Sequence, residues 1–183
     1  MKRKRFVILF CIMGLLLTGC SLMKYKDLST YTNLLLGTNN GTQNFRFSES
    51  GFNALLEAEG DGIIIKMPNH DDNGWMVLIY DDGHSRELLS GPAGETYTIA
   101  FEAKTNTKNS TIKMSHKQGN AKEIQVDFGT AVIEKTNRWT QVILSGTLNG
   151  TAATSQGVYF DLRENPAGTE ISIRNLKLIR GTV

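Results

Sequence analysis

Apolar and polar positions divide this chain into two unlike parts. Phe6 to Leu17 is one nearly unbroken apolar run behind the basic start Lys2-Arg3-Lys4-Arg5. It is too short to span a bilayer, which takes roughly 20 residues. From Asn33 onward the apolar residues come in short bursts between turn residues, the pattern of β-strands. Leu34-Leu35-Leu36 precedes the turn cluster Gly37-Thr38-Asn39-Asn40-Gly41. Phe52 to Glu59 reads as a strand, although Leu55, Leu56 and Glu57 also allow a helix. Ile63 to Met67 ends before Pro68, and Gly74 to Tyr80 closes at the turn signal Asp81-Asp82-Gly83.

The second half is more regular. Tyr97, Ile99 and Phe101 alternate with Thr98, Ala100 and Glu102, so one set faces a core and the other faces away. Thr111 to Ser115, Glu123 to Phe128 and Arg138 to Leu148 follow. Val158, Phe160 and Leu162 then alternate with Tyr159, Asp161 and Arg163. Ile171, Ile173, Leu176 and Leu178 shift phase at Asn175, which predicts a β-bulge there. About ten short strands separated by turns predict an all-β fold, a two-sheet antiparallel β-sandwich.

The front of the chain carries a different message. A basic start, an apolar middle and small residues at a cut point are the layout of a secretion signal. Its last residues, Leu17-Thr18-Gly19-Cys20, resemble the lipobox of bacterial lipoproteins. That resemblance implies cleavage before Cys20 and a diacylglycerol on its thiol. Residues 1–19 are then a signal peptide, 20–32 a lipidated tether and 33–183 the domain. The expected location is the cell envelope, facing outside the cytoplasm, with the membrane as one partner. Each buried lipid methylene adds about 0.8 kcal/mol of membrane affinity.

Charge and cysteine content change meaning once that segment is set aside. The full chain has 20 Lys+Arg against 18 Asp+Glu. Four basic and no acidic residues fall in the first nineteen, leaving 16 against 18 and a net charge of −2. A near-neutral domain lacks the basic face that nucleic acid needs. Of the two cysteines, Cys11 lies in the leader and Cys20 is the lipidation residue, so no thiol remains for a disulfide, metal cluster or nucleophile.

Several phrases stand in a telling order. They are Asn33-Leu34-Leu35-Leu36, Gly74-Trp75, Pro92-Ala93-Gly94-Glu95-Thr96-Tyr97-Thr98-Ile99, Arg138-Trp139-Thr140-Gln141-Val142 and Ile171-Ser172-Ile173-Arg174-Asn175-Leu176-Lys177-Leu178. Together they resemble the carbohydrate-binding modules with a galactose-binding-like jelly roll. The resemblance covers Asn33 to Gly181 and implies non-catalytic binding of a polysaccharide or other glycan. It also implies a structural calcium, with Glu49 and Asn175 as candidate ligands. Arg174 and Asn175 stand where these modules often carry an Asp pair, and Arg cannot ligate calcium. Fewer than the six oxygens of a good site are visible.

Sugar recognition needs aromatic faces for pyranose stacking and planar polar groups for hydroxyls. Trp75, Arg86, Glu102, Tyr159, Asp161 and Arg163 are the candidates. Trp75 shares the parity of Val77 and Ile79, which also allows a core position. Tyr159, Asp161 and Arg163 could equally form a solvated sheet face with an ion pair. Trp139, at a strand start, reads as structural. His70-Asp71-Asp72 and Asp81-Asp82-Gly83-His84 lack zinc-ligand spacing and suit turns. No Gly-x-Ser-x-Gly elbow, phosphate loop or Rossmann fingerprint is present. An envelope protein partner on the same sandwich is the second reading. A small glycan hydrolase is the third, and carboxylate separation would decide it.

Overall fold

The computed structural model describes residues 25–38, 40–47, 54–67, 77–82, 89, 91–118, 123–134, 136–150 and 155–183. These contain β1 (Phe45–Phe47), β2 (Leu55–Glu59), β3 (Gly62–Met67), β4 (Val77–Tyr80) and β5 (Thr96–Thr105). The chain continues through β6 (Ser110–Gln118), β7 (Glu123–Ile133), β8 (Thr140–Thr147), β9 (Ser155–Asp161) and β10 (Thr169–Arg180). They form two five-stranded sheets, ordered β1-β4-β9-β6-β7 and β2-β3-β10-β5-β8. The ladders between the strands are antiparallel. The expected two-sheet antiparallel sandwich is the fold found.

Alternation explains which side chains meet between the sheets. Phe45, Leu78, Tyr80, Val158, Phe160, Ile112 and Met114 come from one sheet; Ile63, Ile65, Tyr97, Ile99, Phe101, Ile173 and Leu178 come from the other. Phe101 and Phe160 meet edge to face across the gap at 5.9 Å, and Phe45 packs on Tyr80 at 4.9 Å. Fully burying an apolar side chain of this size contributes about 1.5–3 kcal/mol each. Tyr97, Ile99 and Phe101 lie where the alternation placed them, as do Val158, Phe160 and Leu162.

The bulge expected at Asn175 is present. The register of β10 on β5 shifts between Arg174 and Lys177, and Asn175 adopts φ 54°. Asn tolerates this left-handed conformation better than most residues. The extra residue returns Leu176 and Leu178 to the core after Ile173. Gly94, at φ 90°, makes the turn into β5.

Two expectations need correction. Leu34–Leu36 is not a strand; β1 lies later, at Phe45–Phe47. The Asn33 side chain takes the place of a ladder there. Its Oδ1 accepts from the amides of Leu35 (3.1 Å) and Leu178 (2.9 Å), and its Nδ2 donates to the Leu176 carbonyl (3.0 Å). The helical alternative for Phe52–Ala58 fails over its described part, because Leu55–Glu59 pairs with β3. Val77 and Ile79 do not share the main core. They form a separate buried cluster with Tyr159 on the outer face of the first sheet.

Candidate functional site

Register across the first sheet builds one continuous outer face. Arg46 pairs with Ile79, Ile79 with Tyr159, Tyr159 with Ser115, and Ser115 with Asp127. One row further along, Val77 pairs with Asp161, Asp161 with Lys113, and Lys113 with Thr130. The face therefore has an apolar centre of Val77, Ile79 and Tyr159 inside a ring of charged and hydroxyl groups.

Tyr159 is only 2% exposed, so its ring is packed rather than open as a stacking platform. Lys117 Nζ sits over it, 4.9 Å from the centroid. Burial raises the Tyr159 phenol above its ordinary pKa, and Arg46 partly offsets that. Lys117 is pulled down, mainly by its own burial and then by Arg163 and Lys113, while Asp161 acts the other way.

Asp161 and Arg163 form a bidentate pair. Arg163 Nε donates to Asp161 Oδ1 at 2.8 Å, its Nη2 donates to Oδ2, and its backbone N–H also reaches Oδ1 at 3.2 Å. Fork-to-fork geometry of this kind fixes both planar groups in orientation. Burial pushes the Asp161 carboxyl up, but hydrogen bonds from Arg163 and the charges of Arg163 and Lys117 hold it below its ordinary value. A cavity of about 250 Å³ opens here, lined by Thr111, Lys113, Asp161, Arg163 and Glu164. It offers oriented acceptors and donors of the sort that hydroxyl groups match.

The sequence candidates thus separate. Tyr159, Asp161 and Arg163 come together on this face. Glu102 does not join them, because β5 belongs to the other sheet. Its Oε2 accepts from Arg174 Nε (2.9 Å) and Nη2 (2.8 Å), and its Oε1 accepts from Asn175 Nδ2 (3.0 Å). Trp75, Arg86, Glu49 and Cys20 lie outside the described residues, as do His70, Asp71, Asp72 and His84.

Asn175 Nδ2 donates to Glu102 Oε1, beside the Arg174–Glu102 ion pair, while Glu49, the other candidate calcium ligand, lies outside the described residues. Among the described residues no cluster of three or more His, Cys, Asp or Glu could hold a metal. We expect chelation with EGTA to leave the melting temperature unchanged. A site filled at 100 times its Kd would instead add about 2.7 kcal/mol, worth several degrees.

Sequence reasoning passed over Lys113, Lys117 and Arg46. A signal for the first two was present: Ile112, Met114 and His116 alternate with Thr111, Lys113, Ser115 and Lys117, and the first set is buried.

No family model matches this sequence, and comparison with curated proteins found no match. Similarity to solved structures is clear. A CBM4 structure aligns with TM-score 0.55 at 15% identity, over 78% of this chain and 98% of that one. The N-terminal cellulose-binding domain of Cellulomonas fimi β-1,4-glucanase C gives 0.54 at 14%, again over 78% and 98%. The enzymatically active domain of bacteriophage CBA120 tailspike protein 4 gives 0.57 at 12%, over 81% of this chain but 21% of that one. The domain therefore has the jelly-roll sandwich of carbohydrate-binding modules.

Proposed function

We propose that this chain is a lipid-anchored envelope protein whose sandwich binds carbohydrate without cleaving it. The observation that carries this reading is the extent of the fold likeness, which takes in 98% of the CBM4 chain. The anchor rests on Leu17-Thr18-Gly19-Cys20 and the segment before it. The ligand face is the outer surface of β1-β4-β9-β6-β7, with Asp161, Arg163, Lys113 and Lys117 as hydrogen-bonding groups around Tyr159. Rigid strands hold these groups in place, which keeps the ordering cost of binding low.

An acid catalyst is not part of this reading. A glycosidase needs a carboxyl kept protonated by a raised pKa, whereas Arg163 keeps Asp161 ionised. A protein ligand is the second reading, favoured by the burial of Tyr159 and by Ile124 and Val132, which are 40% and 52% exposed on β7.

A glycan array with the domain from Lys24 onward tests the choice. Binding should weaken about tenfold or more, 1.4 kcal/mol, in Asp161→Ala and in Lys117→Ala. Trp75→Ala and Tyr159→Ala belong in the same series. A blank array would sink the glycan reading and send the search to envelope proteins. Binding that survives all four substitutions would keep the glycan and discard this face.

A further inference from the structure

The segment behind the lipidation residue is fastened to the domain within five residues of it. Tyr25 Oη donates to the Trp139 carbonyl at 2.5 Å. The Gln141 side chain pairs with both backbone groups of Lys26: it accepts from the amide at 2.6 Å and donates to the carbonyl at 2.8 Å. Lys177 Nζ donates to the Leu28 carbonyl at 2.8 Å. Gln141 lies on β8 and Lys177 on β10, so the segment lies along the outer face of the β2-β3-β10-β5-β8 sheet.

Reach decides what this means. A chain extends at most about 3.6 Å per residue. A free tether from Cys20 to Thr32 would let the domain drift roughly 45 Å from its acyl chains. Fastened at Tyr25, it has roughly 18 Å. The corner nearest the lipid is chemically suited to a headgroup layer. Tyr25 is 44% exposed beside Trp139, and the cations of Arg174 and Lys104, paired with Glu102 and Glu59, lie 4.1 Å and 4.9 Å from the Trp139 ring. Amphipathic aromatics beside basic groups are what settle at membrane–water boundaries.

We propose that the Tyr25–Trp139 corner of the β2-β3-β10-β5-β8 sheet is a membrane-apposed surface, seated at the headgroup level of the bilayer that holds Cys20. The other sheet, with Asp161 and Arg163, then faces away from that bilayer. This rests on the lipid-anchor part of the proposed function and not on the identity of the ligand.

The test uses the full lipidated protein in vesicles of phosphatidylethanolamine and phosphatidylglycerol doped with a nickel-chelating headgroup lipid. Cys11 leaves with the leader and the Cys20 thiol is acylated, so a cysteine introduced at Arg138→Cys or Thr130→Cys takes a spin label alone. Nickel should relax the label at 138 several-fold faster than the label at 130, which lies on the opposite outer face. Adding Tyr25→Phe and Gln141→Ala, with the fold checked by circular dichroism, should shrink that ratio toward one. Equal relaxation in vesicle-bound protein overturns the orientation and leaves the anchor standing. A ratio unmoved by the two substitutions overturns the clamp as its cause. Protein that fails to float with vesicles and shows a free Cys20 thiol by mass spectrometry removes the anchor and this proposal together.

Discussion

Gly157→Ala is expected to destabilise the domain by about 3 kcal/mol or more, a large share of the roughly 5–15 kcal/mol that holds an ordinary domain folded. Gly157 sits in β9, inside the first sheet between β4 and β6. Two independent penalties meet at this position. Its φ is 130°, outside the regions open to residues with a side chain. A Cβ there would lie 2.1 Å from the Tyr80 carbonyl oxygen, which is backbone and cannot swing aside. Moving Tyr80 would disturb its packing on Phe45 and its buried place in the core. Gly168 provides the comparison: its φ is also positive, at 79°, but no atom lies within 4 Å of a Cβ built there. Gly168→Ala should cost only the left-handed strain of about 1–2 kcal/mol. Urea melts of both variants measure the difference. A Gly157→Ala loss no larger than that of Gly168→Ala would mean that β4 and β9 do not approach as described.

The contrast between strand and face shows where sequence information ended. Period two placed Tyr97, Ile99, Phe101, Val158 and Phe160 inward because each strand there has one wet side and one dry side. It left open which side Val77 and Ile79 take, because all four residues of β4 are buried and alternation there carries no sign. Phe45–Phe47 was too short for any period to show, while Leu34–Leu36 looked stronger and was tied down by Asn33 instead. For the candidate site, Tyr159, Asp161 and Arg163 were legible together because they share one strand and the turn after it. Glu102 was rightly placed away from the core, but alternation says only in or out, never which of two outer faces. Lys113 entered the site through the pairing of β6 with β9, and strand register between distant segments is set by tertiary packing rather than by local pattern.

Acidification should weaken the fold through His116. The residue lies on β6 among core-facing positions, fully buried, and neither ring nitrogen has a hydrogen-bond partner among the described residues. Burial alone pulls its pKa from 6.5 down to about 4. The unfolded chain therefore takes up a proton near pH 6.5, the folded chain only near 4. Between those values the unfolded state binds more protons, so stability is complete above about pH 6.5 and falls as pH drops toward 4. The shift corresponds to about 3 kcal/mol at the lower end. His116→Leu replaces two unpaired nitrogens with apolar volume, which should be neutral or stabilising at pH 7. Its larger effect should be on slope: urea melts at pH 7 and pH 4.5 should separate the wild type from the variant by about 2–3 kcal/mol more at the acid end. Carboxylates also titrate in this range, and they cancel in the comparison because both proteins carry them. An equal acid loss in the two proteins would show that His116 finds a proton-accepting partner in the folded state, and the assignment of this ring as a dry core residue would be wrong.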